Sequence, residues 1–492
     1  MVTNLRQELI FAPAADRALS SKLQREASAG LVLRVRPGVY TPLINVPVES
    51  VVRRNWKVVL EHEIPGAVVS YRSALLGRPD DAGVIIVSKG TRARTISYPG
   101  LTVEVRPGTP LPGDVPYGAL FVAGEMRWML ECLEAVKASA SRTGPVEAIE
   151  TYLDKVLLLR GEHKLNELRD AARTFAQTYG REAEFKRLNG IIGALLNTHE
   201  THKLSSRQAL ARATGKPYDP DRVRLFDELF SALRQTVLPE LPEATPTPLA
   251  RDNFAFFEAY FSNYIEGTTF TLEEAADIIY HGAVITGRTE DTHDILGTYR
   301  AATTSPWRNE FPRSAEDFLH WLKSVNALVM SHRPDKLPGE WKTKPNQAGS
   351  TLFVQPELVP GTLLEGFARI GGLGSLLAQA FMTMFVVSEV HPFTDGNGRT
   401  ARLALNCALT SAGLSRILVP TIFREDYLLP LKALSRHANP EPYIGMLSKL
   451  QRWSTALHYD QPRNDLQAQL QRCNAFEEAR DQYRLVFPEQ TQ

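Results

Sequence analysis

The chain has 492 residues, enough for roughly two to four domains. Its 56 basic and 55 acidic side chains nearly cancel, which by itself argues for neither a nucleic-acid coat nor a membrane surface. Cys132, Cys407 and Cys473 form no disulfide or metal spacing and fit a reducing cytoplasm, no uncharged apolar run reaches membrane-spanning length, and the N-terminus lacks the basic-then-apolar pattern of an export signal.

Residues 1–130 read as an α+β module. A helix is predicted over Ala14–Ser28, and Leu31–Arg36 alternates as a strand with Arg34 and Arg36 on one face. Pro37-Gly38 turns it into Val39-Tyr40, and further strands are predicted at Val84–Val87, Thr95–Ser97 and Leu101–Val105. A helix followed by a strand pair with a basic tip is the outline of a winged helix. The phrases Val32–Pro42 and Ser70–Leu75 resemble the AbiEi-type antitoxin and regulator domains of abortive-infection systems. A surplus of about five basic residues in this region suits phosphate contacts, so DNA is one candidate partner. A small module that binds protein or only packs is the competing reading.

Residues 131–236 are expected to be a helical connector, with charge pairs at helix-neighbour spacing such as Asp170 with Arg173 and Glu182 with Lys186. Four prolines in Val237–Pro248 then mark a linker or an extended strap. Residues 237–455 read as mostly helical. Phe254–Glu266 carries an apolar stripe of Phe257, Tyr260, Phe261, Tyr264 and Ile265. Ser262 and Glu266 share one face of that helix, and Gly267 offers its stop. Thr271-Leu-Glu-Glu274 is a capping box, and Ser314 is placed to begin a helix over Glu316–Val329. Turn residues in Gly339–Gly349, leading into Ser350–Val354, predict a hairpin. Leu373–Val390 reads as a buried helix, and residues 456–492 as an exposed terminal helix and tail.

The segment His391-Pro-Phe-Thr-Asp-Gly-Asn-Gly-Arg-Thr-Ala-Arg402 concentrates the chemistry. His391 can take a proton near neutral pH, and Asp395 can hold Mg²⁺ while phosphates and water complete its shell. Gly396, Asn397 and Gly398 can turn backbone N–H groups toward an anion, and Arg399 and Arg402 present planar forks that match phosphate. Apolar residues at Ala401, Leu405, Ala408, Leu409 and Ala412 put a helix directly after the glycines, whose N-terminus favours phosphate.

His391, Phe393, Asp395, Gly396, Asn397, Gly398, Arg399 and Arg402 match the Fic family signature HxFx(D/E)GNGRxxR without departure. Ser262-x-x-x-Glu266-Gly267 resembles that family's inhibitory motif (S/T)xxxE(G/N), and Gly339–Val354 resembles its flap. The resemblance implies a mainly α fold: a Fic-type bundle with a β-hairpin flap, preceded by the winged-helix-like module and the connector. It implies transfer of AMP from ATP to a Tyr, Thr or Ser hydroxyl of a target protein or of the chain itself. In that scheme His391 is the base and Asp395 holds Mg²⁺. Gly396, Asn397 and Gly398 cradle phosphates, Arg399 and Arg402 meet the β- and γ-phosphates, and Phe393 packs beneath the loop. Glu266 would block the γ-phosphate site by pairing bidentately with Arg402, or could position a water for the reverse reaction. Transfer of UMP, phosphocholine or phosphate, a homodimer, and a DNA-binding toxin–antitoxin-type regulator whose site only senses nucleotide remain open alternatives.

Overall fold

The structure, a computed structural model, describes residues 8–13, 16–134, 146–196, 198, 204–243, 246–285, 287–349, 351–478 and 483–488. The chain divides into two compact units, Met1–Thr214 and Gly215–Gln492.

In the first unit, the helix expected from Ala14 runs over Arg17–Ser28, with Asp16 capping the N–H of Leu19 at 2.9 Å; Ala14 and Ala15 lie outside the described residues. Val39–Thr41 forms the centre of a three-stranded antiparallel sheet, flanked by Ile10–Phe11 and Leu33–Arg36. A bulge between Arg34 and Arg36 breaks the pairing register, so these two arginines do not form one free basic face. Arg34 is exposed, whereas Arg36 lies 3.7 Å from Glu63 and over the ring of Tyr98.

The larger element of this unit is a six-stranded mixed sheet. Its order is Arg94–Tyr98, Leu101–Arg106, Val84–Ser88, Val68–Val69, Leu120–Val122 and Val115–Tyr117. Val84–Ser88 runs parallel to Leu101–Arg106 and antiparallel to Val68–Val69, and its unbroken Val-Ile-Ile-Val run suits a strand buried on both faces. The winged-helix outline accounts for the small hairpin and leaves this sheet unexplained. The strands predicted at Val84–Val87, Thr95–Ser97 and Leu101–Val105 form within it, but the sequence does not show their order or the pairing of Val68–Val69 with Leu120–Val122, strands distant in the chain.

The stretch expected to be one connector is divided between the units. The segment Val146–Tyr179, two helices joined by a kink at Gly161, and the helices Glu182–Leu195 and Arg207–Ala213 share a core with Trp128, Met129 and Leu130, built from Leu153, Leu165, Leu168, Ile191, Ile192 and Ala209. The helix Pro220–Gln235 instead buries Phe226, Leu229 and Leu233 in the second unit, packing on Val359–Gly371 and Leu376–Val390.

The second unit is a helical bundle around Leu376–Val390. That helix is apolar on all sides and buried nearly throughout, as an element surrounded by others must be. It packs on Asn397–Ser411 and Val359–Gly371. The proline-rich stretch is a strap: Glu243 N–H donates to the Gly413 carbonyl, and Ser415 N–H donates to that of Leu241. It leads into the helix Pro248–Ile265, which starts earlier than predicted because Thr247 caps it and Pro248 sits at its first position, where a missing N–H costs nothing. The capping box at Thr271 and the Ser314 cap form as predicted. The helix Arg463–Arg472 is not an exposed tail. Leu466, Leu470, Cys473 and Ala475 bury against Phe254, Phe257 and Trp453, four small apolar groups outweighing a polar composition.

Candidate active site

The helix Leu376–Val390 ends because His391 turns left-handed, at φ 52° and ψ 59°. That conformation costs a non-glycine residue roughly 1–2 kcal/mol, so the surroundings must hold it. Asn397 does part of this. Its Oδ1 accepts from the N–H of Phe393 at 2.8 Å, and its Nδ2 donates to the carbonyl of Phe393 at 2.9 Å. Phe393 is fully buried and stacks on Trp341, with ring centroids 5.1 Å apart. Asn326 Nδ2 donates to the Asp395 carbonyl at 3.0 Å.

Gly396 then adopts φ +76° and opens the helix Asn397–Ser411. Its N–H donates to Asp395 Oδ1 at 2.6 Å. The next three N–H groups, those of Asn397, Gly398 and Arg399, are the first of the helix and have no acceptor among the described residues. They provide an anion site with the helix dipole behind it. A Cβ on Gly398 would clash with Glu266 Oε1, so a carboxylate oxygen already lies against this turn.

Arg402 is buried, and it binds the helix Pro248–Ile265 and Glu266 at its end through three hydrogen bonds. Nε donates to Ser262 Oγ at 2.9 Å, and Nη2 donates to the Ser262 carbonyl at 2.9 Å and to Glu266 Oε1 at 2.7 Å. The bidentate Glu266–Arg402 fork expected from the motif is therefore replaced by a single carboxylate contact; Ser262 takes the Nε–Nη2 edge of the guanidinium, and Nη1 lies 3.5 Å from the Tyr427 hydroxyl. Burial alone would raise the pKa of Glu266; Arg402, with Arg399 and His391, outweighs it and holds the carboxyl below its usual range. Gly267 follows at φ +95° and ends the helix.

Arg399 is engaged elsewhere. Its Nη1 lies 2.5 Å from Asp294 Oδ2 and 3.3 Å from Asn263 Oδ1, while its Nε is buried without a hydrogen-bond partner. Asp294 also accepts from Arg333, at 2.7 and 3.1 Å. Asp294, Arg333, Asn263 and Asn326 carry no motif, and nothing in the sequence singles them out; tertiary packing alone brings them to the loop.

The imidazole of His391 lies flat against Phe353 of the hairpin, with centroids 3.8 Å apart and planes 4° from parallel. Its Nδ1 is 3.3 Å from the Ser388 carbonyl, which suits an Nδ1–H donor and leaves Nε2 as the proton acceptor. Burial pushes its pKa down to about 4; the charge of Lys342 adds to this, and the Ser388 carbonyl, Glu266 and Asp395 oppose it. The hairpin pairs Gln347 with Leu352 and Ala348 with Thr351, and Ser350 lies outside the described residues. A cavity of about 230 Å³ joins His391, Glu266, Gly398, Arg402 and Phe353 to Tyr427, Leu431, Lys432 and Ser435.

Residues 317–409 match the model of the Fic/DOC family. The chain carries a Fic domain. Among curated proteins, the chain is 27% identical over 203 residues to protein adenylyltransferase fic-1 of Caenorhabditis elegans, a match covering 39% of each chain. It is 26% identical over 268 residues to protein adenylyltransferase Fic of Drosophila mojavensis, covering 51% of this chain and 50% of the relative. The match thus spans half or less of these relatives. A solved Fic domain containing signaling protein from Bacteroides thetaiotaomicron aligns with 48% of this chain and 95% of its own, at 20% identity and a TM-score of 0.36, too low to carry an argument. The Fic match leaves residues 1–316 uncovered, including the helix with Ser262 and Glu266. Among the described residues, no helix is long and apolar enough to cross a membrane.

Proposed function

We propose that the Fic domain transfers AMP from ATP to a hydroxyl side chain of a target protein or of the chain itself, and that Glu266 restrains it. The observation that carries this reading is one cavity holding His391, the amide-bearing turn at Gly398, Arg402 and a carboxylate pressed against both the turn and the arginine. Curated relatives named protein adenylyltransferase support the same reaction class.

The chemistry follows from the groups present. His391 Nε2 takes the proton of a Tyr, Thr or Ser hydroxyl as its oxygen attacks the α-phosphorus. The bond from that phosphorus to the bridging oxygen breaks, and pyrophosphate leaves. The N–H groups of Asn397, Gly398 and Arg399 bind phosphate oxygens, with Arg402 as the fork for the γ-phosphate and Arg399 for the β-phosphate once it parts from Asp294. Among the described residues, no group of three His, Cys, Asp or Glu could enclose a metal. Among the described residues Asp395 Oδ2 has no recorded partner, and the side chain is 39% exposed, which fits Mg²⁺ held by one carboxylate and nucleotide phosphates. When bound, that ion would neutralise charge on the leaving pyrophosphate.

Glu266 restrains the site by occupying ground that ATP needs. Its oxygen lies against Gly398 and takes one donor of Arg402, so a γ-phosphate must displace a carboxylate already held there by opposite charge. The test is mass spectrometry of the full chain bearing Glu266→Gly, incubated with ATP, Mg²⁺ and lysate. A His391-dependent AMP adduct on a hydroxyl residue is expected. An adduct of another mass, or an adduct that persists in His391→Ala, overturns the assignment.

A further inference from the structure

Four consecutive carbonyls around the base receive donors from two residues of the segment leading into the hairpin. Lys342 Nζ lies 3.4 Å from the Val390 carbonyl, and the Lys342 N–H donates to that of Pro392 at 2.9 Å. Asn346 Nδ2 reaches the carbonyls of His391 at 3.4 Å and of Phe393 at 2.9 Å. The two side chains also bind each other, Lys342 Nζ donating to Asn346 Oδ1 at 2.7 Å. Lys342 is 2% exposed. Burying an amine is costly, and burial together with the charge of Arg222 lowers the pKa of Lys342 to about 7, so these contacts hold the side chain there against that cost.

We infer that Lys342 and Asn346 are positioning residues for His391, a clamp that joins the hairpin to the backbone of the base. The inference rests on the reading of His391 as the base. The left-handed turn at His391 exposes the carbonyls at the end of the preceding helix, which need donors from outside that helix. The clamp supplies them from one side, and Phe353, just beyond the hairpin's second strand, covers the ring from the other. A segment that docks on the hairpin is thereby held to the same frame as the nitrogen that takes its proton. The charge of Lys342 also bears on the ring, beside Glu266 from the inhibitory-motif helix and Asp395 from the loop, while Arg222 from the helix Pro220–Gln235 faces Lys342 itself.

The test uses the full chain with Lys342→Met and, as a milder break of the same clamp, Asn346→Ala. In the Glu266→Gly background both are expected to lower kcat by about a hundredfold, the order expected for a misplaced catalytic group, with KM for ATP unchanged. A second readout does not depend on turnover: the rate at which diethylpyrocarbonate modifies His391, followed by peptide mass spectrometry with His320 as internal reference. It is expected to rise several-fold in both variants at a temperature well below the melting temperature of each. An unchanged modification rate in both variants, or a raised KM with kcat intact, overturns the clamp. If AMP transfer survives His391→Ala, the base assignment fails, and the modification rate still decides whether the clamp holds the loop.

Discussion

The motif loop and the tip of the helix Pro248–Ile265 meet at Arg402, yet they are held in opposite ways. The loop is fixed by its own backbone: Asn397 crosslinks Phe393 twice, Asn326 holds the Asp395 carbonyl, and Phe393 is fully buried. Glu266 reaches the same place at the end of a helix, keeps 34% of its side chain exposed, and makes one charged contact before Gly267 releases the chain. One region is held from several sides and the other by a single charged contact, and the proposed restraint rests on that difference.

Experiments that remove each holding force separate the two. The largest effect is expected for His391→Ala, which should lower AMP transfer by on the order of 10²–10⁴ while ATP binding by calorimetry persists. Asn397→Ala comes next. It leaves the buried N–H of Phe393 unpaired and removes one of the two donors to its carbonyl, and it should cost about 1–3 kcal/mol in denaturant unfolding along with most of the activity. Glu266→Gly should act in the opposite direction on activity, raising automodification on the order of tenfold; equal automodification by parent and variant would remove the contrast between the regions. Asp294→Asn should produce a smaller, several-fold change in ATP affinity by loosening Arg399, measurable by the same calorimetry.

The pH dependence sharpens the comparison further. The pKa of His391 is lowered, so its neutral, proton-accepting form persists as pH falls to about 4. The acidic limb of kcat/KM for the Glu266→Gly variant should therefore lie well below the ordinary histidine value of about 6.5. In the parent, Glu266 is held below its usual range, so its ion pair with Arg402 is present at neutral pH and is lost only as pH falls through that lowered value. By then the base is close to protonation, and acidification should not produce a strongly active parent enzyme.

The residues of the chemistry and much of their local setting were legible in the chain itself. His391 to Arg402 lie within one loop and one helical turn, so spacing alone put base, carboxylate, amides and arginines together. Ser262 and Glu266 share a face by helical period, and the caps at Thr271 and Ser314 follow from local hydrogen bonding. What only the tertiary structure decided is every pairing between distant segments. Ser262 takes the Nε–Nη2 edge of Arg402, and Asp294, which Arg333 also binds, pairs with Arg399 from a helix with no motif. Lys342 and Asn346, just before the hairpin, bind the backbone around His391, and the six-stranded sheet joins strands the winged-helix outline did not order. Sequence period reports which side of an element is apolar; it does not report which surface, many residues away, that side will meet.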